Sequence, residues 1–221
     1  MLAHEMMSDT VPILSINDSI QKALNYMEVF KLSHLPVGNK EKFIGIVSDV
    51  AIYDSFKFDN SLGTIINRFE NITVGKNQHI LDIMNICCKY SLTSVPVVED
   101  NNDYLGLIVL PDLVKNFSRL INVDANGGII TIQVNMNDYS LSNIAQIIES
   151  NNAKVLSMYV VQINDTQELS ITLKLNTTEL TSIVRTFERY EYEVKAIVEE
   201  QDTMNDKLLD NYELLMRYIN T

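Results

Sequence analysis

Cys87 and Cys88 stand side by side, and His4, His34 and His79 are scattered along a chain of 221 residues. Thiols and imidazoles are the material of a redox or zinc centre, but a structural zinc site needs four such ligands at short spacings. No further cysteine and no paired histidine completes a set here, and adjacent cysteines rarely close an unstrained disulfide. Nor is there a nucleophile elbow, or a glycine-rich phosphate loop after a strand. Seven glycines in the whole chain leave little material for one. The chain is therefore expected not to be an enzyme, and its chemistry to be that of binding.

The polar residues suited to binding fall inside an internal repeat. Leu32-Ser33-His34-Leu35-Pro36-Val37, closed by Gly45-Ile46-Val47-Ser48, returns as Leu92-Thr93-Ser94-Val95-Pro96-Val97, closed by Gly106-Leu107-Ile108-Val109. Upstream, Leu14 matches Val74, Ile20 matches Ile80, Ala23 matches Ile83, Leu24 matches Met84 and Met27 matches Cys87. A position that is Met in one copy and Cys in the other points to apolar packing rather than to a reactive thiol. Past the turn the offset grows by one, so Ser48 faces Val109 and Ala51 faces Asp112. A duplicated unit is expected to pack against its own copy.

Each copy reads as β-α-β-β-α. A short strand (Val11–Leu14, then Ile72–Val74) leads into a helix, opened in the first copy by the polar cap Asn17-Asp18-Ser19. Ile20, Ala23, Leu24 and Met27 follow at helical spacing, and Ile80, Ile83, Met84 and Cys87 trace the same stripe. The proline-bearing strand, a turn and a second strand (Phe43–Val47, Tyr104–Val109) come next. A last helix starts near Ser48 or Pro111, where proline is well tolerated.

These residues resemble a tandem pair of cystathionine-β-synthase (CBS) domains, a regulatory pair also called a Bateman module. The resemblance rests on Ser33–Val37 with Gly45–Ser48, and on Thr93–Val97 with Gly106–Ile108 and Asp112, and covers residues 1 to about 119. It implies two clefts between the copies, which in many members bind adenosine compounds. The family pattern is Gly-h-x-Ser/Thr-x-x-Asp, with h apolar. Its carboxylate takes the ribose hydroxyls, and its hydroxyl meets phosphate near a helix N-terminus, where backbone N–H groups favour anions.

Neither copy keeps the whole pattern. Ser48 survives where Ala51 replaces the carboxylate, and Asp112 survives where Val109 replaces the hydroxyl. Asp49 projects away from the Ala51 position, roughly 200° around a helix. The resemblance assigns Thr73, Thr93 and Ser94 with Ser48 to one cleft, and Ile13, Ser33 and His34 with Asp112 to the other. The Asp112 cleft is expected to be the better adenosine site, taking AMP, ADP, ATP or S-adenosylmethionine, with no cofactor required. The other reading is that side chains fill both clefts, with His34 packing at a loop edge.

The linker Asn122–Gly128 ends the repeat, and its paired glycines punctuate the chain. Alternation over Ile130–Met136 argues for a half-buried strand, and a helix follows over 140–150. Strand Val155–Ile163 turns through Asn164-Asp165 into strand Leu169–Leu175. Thr177 or Thr178 is expected to cap a helix bearing Leu180, Ile183, Val184 and Phe187, before strand Tyr192–Val198. The order β-α-β-β-α-β is the ferredoxin-like one.

Its place after the repeat and the Gly127-Gly128 entry resemble an ACT domain, a small amino-acid-sensing module. Amino-acid-binding members often carry Asp-x-Pro-Gly-x-Leu. Here Asn137-Asp138-Tyr139-Ser140-Leu141-Ser142 lacks the Pro and Gly, so Asp138 and Ser140 read as capping residues. The tail, Thr203 to Ile219, reads as a further helix with Met204, Leu208, Tyr212, Leu215 and Ile219 on one stripe and a capping box at Thr203 and Asp206. Alone such a helix is marginal, so it is expected to dock on its own domain or on a second copy.

The expected fold class is thus α+β: repeats over 1–60 and 61–120, a linker over 121–128, a ferredoxin-like domain over 129–200 and a helix over 201–221. The whole arrangement resembles the bacterial acetoin-utilisation (AcuB-like) regulatory family. Net charge is −12, with 7 Lys and Arg against 15 Asp and Glu in residues 121–221. Phosphate backbones and anionic lipid demand clustered cations, so neither nucleic acid nor a membrane surface is an expected partner. With no apolar span of bilayer length and an N-terminus unlike a signal peptide, a cytoplasmic location is expected. The function expected is that of a sensor, a homodimer signalling to an unidentified protein. The alternative is a scaffold with degenerate clefts.

Overall fold

The computed structural model describes residues 1–39, 42–55 and 59–198. The chain divides into two compact units, 1–120 and 121–221.

In the first unit, helix α1 (Ile20–Phe30) opens on Ser19, whose side chain accepts from Lys22 N–H, and ends on Lys31 in the left-handed region. Its repeat, α3 (Ile80–Tyr90), opens on His79, whose ring accepts from Leu81 N–H, and ends on Ser91 in the same conformation. An imidazole thus does in one copy what a serine hydroxyl does in the other, which gives His79 a structural role. Strands β1 (His34–Gly38) and β2 (Phe43–Ser48) form one antiparallel pair. Strands β3 (Val74–Gly75), β4 (Ser94–Val98) and β5 (Tyr104–Val109) form a three-stranded sheet. Helices α2 (Asp49–Tyr53) and α4 (Leu110–Leu120) close the copies.

The leading strands are shorter than periodicity predicts. Val11–Leu14 reduces to a single parallel bridge from Leu14 to Val37, and the expected Ile72–Val74 strand is Val74–Gly75. One alternating face is too little to hold a strand where just one neighbour offers backbone partners.

The two copies exchange their leading segments. Residues before the first repeat lie on the second: Ala3 and Met6 are buried with Ile80, Ile83 and Val95, and Leu2 bridges to His79. Residues before the second repeat lie on the first: Leu62 and Ile65 are buried with Ile20 and Leu35, and Ser61 bridges to Ser19. Each leader then pairs with the last strand of the copy it covers. Ser8 and Leu107 exchange N–H···O bonds of 2.9 Å each way, and Ile46 and Glu70 do so at 2.8 and 3.0 Å. A boundary at residue 60 therefore divides the sequence but not the packing.

The close crossings explain two glycines. A Cβ on Gly45 would stand 2.8 Å from Phe69 Cβ, and one on Gly106 would stand 3.2 Å from Ser8 O.

The second unit has β6 (Ile129–Asn135), α5 (Leu141–Ser150), β7 (Val155–Gln162), β8 (Glu168–Leu175), α6 (Thr181–Arg189) and β9 (Glu193–Val198). The sheet order is β7-β8-β6-β9, antiparallel throughout, which is the ferredoxin-like arrangement. Leu169, Ile171, Leu173 and Leu175 alternate into a core with Ile144, Ile148, Ile183 and Phe187. Ser140 caps α5 by accepting from Asn143 N–H. The expected cap on α6 is displaced: the helix starts at Thr181 behind Leu180, which has no capping side-chain bond, and Thr177 Oγ1 accepts from Glu179 N–H instead. Burial of Leu180 against the core overrides the polar preference there. The tail helix expected over 203–219 lies outside the described residues.

Candidate functional site

Asp112 sits in the first turn of α4, half-buried, on the wall of a cavity of about 180 Å3. Val11, Phe30, Leu32, Leu107 and Val109 supply the apolar wall. Ser8 and Thr10 supply hydroxyls, bonded to each other at 2.6 Å. The elements explain the assembly. The exchanged leader brings Ser8 to Leu107, the end of α1 brings Phe30 and Leu32, and β5 runs straight into α4 to present Val109 and Asp112. Among the described residues the Asp112 carboxylate has no hydrogen-bond or ion-pair partner, Asn116 reaching only its backbone C=O. An apolar slot with one free carboxylate at its edge suits a flat heteroaromatic base joined to a diol.

Of the residues expected beside Asp112, Ile13, Ser33 and His34 are not on this wall. Ile13 is half-buried, its Cδ1 against Gly38. Ser33 lines a separate hollow of about 520 Å3 along α1 and α2, together with Asp49. His34 lies at the junction of the copies. The sequence reading missed Ser8, Thr10, Val11 and Phe30. Their place depends on the leader crossing to the other copy, and only the glycine at position 106 hinted at a close approach.

Of the residues expected around Ser48, Thr93 and Ser94 bond to Ser33 and His34. Thr93 Oγ1 accepts from the N–H groups of Ser33 and His34 at 2.9 and 3.1 Å. His34 Nδ1 lies 3.2 Å from that hydroxyl and accepts from Thr93 N–H at 3.3 Å. The Ser94 hydroxyl, buried, donates to His34 C=O at 2.7 Å. Ser48 caps α2, accepting from Ala51 N–H at 3.2 Å. Thr73 is half-buried just before β3.

Burial lowers the His34 pKa, and the charges of Asp49 and Glu70 oppose that only in part. A neutral ring with its proton on Nε2 leaves Nδ1 free to accept from Thr93, as the geometry requires. Burial also pushes the Cys87 thiol up to about 11, with Cys88 beside it adding to the rise. A thiol so held is inert, in keeping with its apolar repeat position. Among the described residues no group of three His, Cys, Asp or Glu could hold a metal ion.

In the second unit a cavity of about 380 Å3 opens at the end of β6, beside Asp138 and Asn143. Glu168, Glu191 and Glu193 also line it and, among the described residues, no basic residue does, a setting hostile to a ligand carboxylate.

Residues 3–56 and 63–119 match the pattern of the CBS domain, and together these spans make up half of the chain. The chain belongs to the CBS domain family. The chain is 30% identical over 119 residues to the inosine-5′-monophosphate dehydrogenase of Methanocaldococcus jannaschii, a match covering 51% of this chain and 23% of that enzyme. This chain thus matches under a quarter of that relative's length. Among solved structures, a CBS domain pair/ACT domain protein from Thermotoga maritima is 16% identical, with a TM-score of 0.48, over 55% of this chain and 99% of its own. CBSX2, solved in complex with AMP, is likewise 16% identical, with a TM-score of 0.47, over 54% of this chain and 97% of its own.

Proposed function

We propose that this chain is a non-catalytic regulatory protein that binds an adenosine-containing compound in the cleft at Asp112 and passes that binding to a partner. The observation that carries this reading is the unpartnered Asp112 carboxylate at the edge of an apolar cavity built from both CBS domains. A ligand there touches the leader of one copy and the last strand and helix of the other, so it favours one arrangement of the copies over another. Differential affinity for two arrangements is all that signalling requires. The second unit acts in this reading as an ACT-like module that carries the signal, in a cytoplasmic homodimer of the AcuB-like kind. Calorimetric titration with AMP, ADP, ATP and S-adenosylmethionine tests it. Saturable heat that Asp112→Ala removes supports the reading, and no heat with any of the four would sink it.

One observation favours a second reading, in which the chain is a ligand-free scaffold. Thr93, Ser94, His34 and Ser48 already satisfy one another or a helix end. On that reading no adenosine compound shifts the melting temperature.

A further inference from the structure

The wall around Asp112 discriminates by charge, an inference that rests on the adenosine reading above. Its polar side-chain groups are two hydroxyls and one carboxylate, and among the described residues no Lys, Arg or His lines it. The hydroxyls are bonded to each other, which leaves one hydroxyl hydrogen to donate, and Ser8 Oγ also accepts from Thr10 N–H at 3.0 Å. Two N–H groups are missing from what the start of α4 could offer an anion. Leu110 N–H donates to Thr93 C=O at 2.9 Å, and Pro111 has no N–H. Val109 faces Ser94 across β4–β5 just as Ser48 faces His34 across β1–β2, so an isopropyl group stands where the other copy has a hydroxyl.

Phosphate binding at a helix start needs free N–H groups, hydroxyls or cations. At this cleft a 5′-phosphate on a ribose held by Asp112 meets an apolar side chain, a proline ring and a like charge. A thioether loses nothing by that, and a sulfonium gains from the carboxylate. We infer that the Asp112 cleft selects adenosines with an uncharged or cationic 5′ group over 5′-phosphorylated ones.

The test is calorimetric titration of the full chain, at one ionic strength, with 5′-methylthioadenosine, S-adenosylmethionine, AMP and ATP. Each is repeated on Asp112→Asn, so that only affinity weakened by that change is assigned to this cleft. The expected result is binding of the first two at least about tenfold tighter than the phosphates, a gap of roughly 1.4 kcal/mol. Val109→Thr, nearly isosteric, should narrow the gap by strengthening AMP. AMP or ATP binding through Asp112 as tightly as 5′-methylthioadenosine overturns the charge selection and leaves the adenosine reading standing. Absence of heat with all four ligands overturns both.

Discussion

The hydroxyl of Ser94 donates a 2.7 Å hydrogen bond to the carbonyl of His34, the residue that holds its own place in the other CBS domain. Equivalent positions of the two copies therefore touch. Thr93, the counterpart of Ser33, completes the contact by accepting both the Ser33 and the His34 N–H. Polar residues that sequence reading places as cleft groups here join the copies to each other. Replacing Ser94 by Ala leaves the His34 carbonyl without that donor in a buried setting, where an unmet group costs about 1–3 kcal/mol. Denaturant unfolding should show the loss, while Ser94→Thr should recover part of it.

His34 makes the same junction sensitive to acid. Its pKa in the folded chain is lowered below the ordinary 6.5 by burial, so the unfolded chain binds the proton more readily. The stabilisation is fully present above pH 6.5 and is lost as pH falls through the lower, folded value. Melting temperature measured from pH 8 to pH 5 should decline in that acid window, and His34→Gln should flatten the decline.

Asp112 is expected to matter for binding and not for folding. Asp112→Ala should cost ligand affinity about 1.5–3 kcal/mol, the range for hydrogen bonds to a charged group. Without ligand its stability should stay within about 0.5 kcal/mol of the parent, as for surface changes generally. A large loss of stability without ligand would show that the carboxylate serves the fold.

The exchanged leaders can be tested at the glycines beneath them. Gly45→Ala sets a Cβ 2.8 Å from Phe69 Cβ, whereas Gly106→Ala meets Ser8 O at 3.2 Å and Met7 Cβ at 3.4 Å. Both should destabilise, by about 1–3 kcal/mol for overpacking, and Gly45→Ala the more. Hydrogen exchange at Leu107 N–H should quicken in Gly106→Ala, since that proton is bonded to Ser8 O.

The two cysteines should part company in labelling. Cys88 is exposed, whereas Cys87 is buried and its thiol is pushed up to about 11. A thiol reagent at neutral pH should modify Cys88 first and reach Cys87 only on unfolding. Equal rates would place Cys87 outside the core.

The sequence by itself determined the repeat, the helix stripes, the proline-bearing hairpins and the β-α-β-β-α-β order of the second unit. All of these are local: a helical or alternating period is written in neighbouring residues, and the duplication shows as like residues at a constant spacing. It also singled out Asp112 and Val109 as a mismatch between the copies. What the tertiary structure alone decided is which copy each leader covers, because either leader could bury its apolar residues on its own repeat or on the other. That choice brings Ser8 and Thr10 onto the same cavity wall as Asp112. Contacts between segments a hundred residues apart depend on how two cores close over each other, and no period along the chain records that.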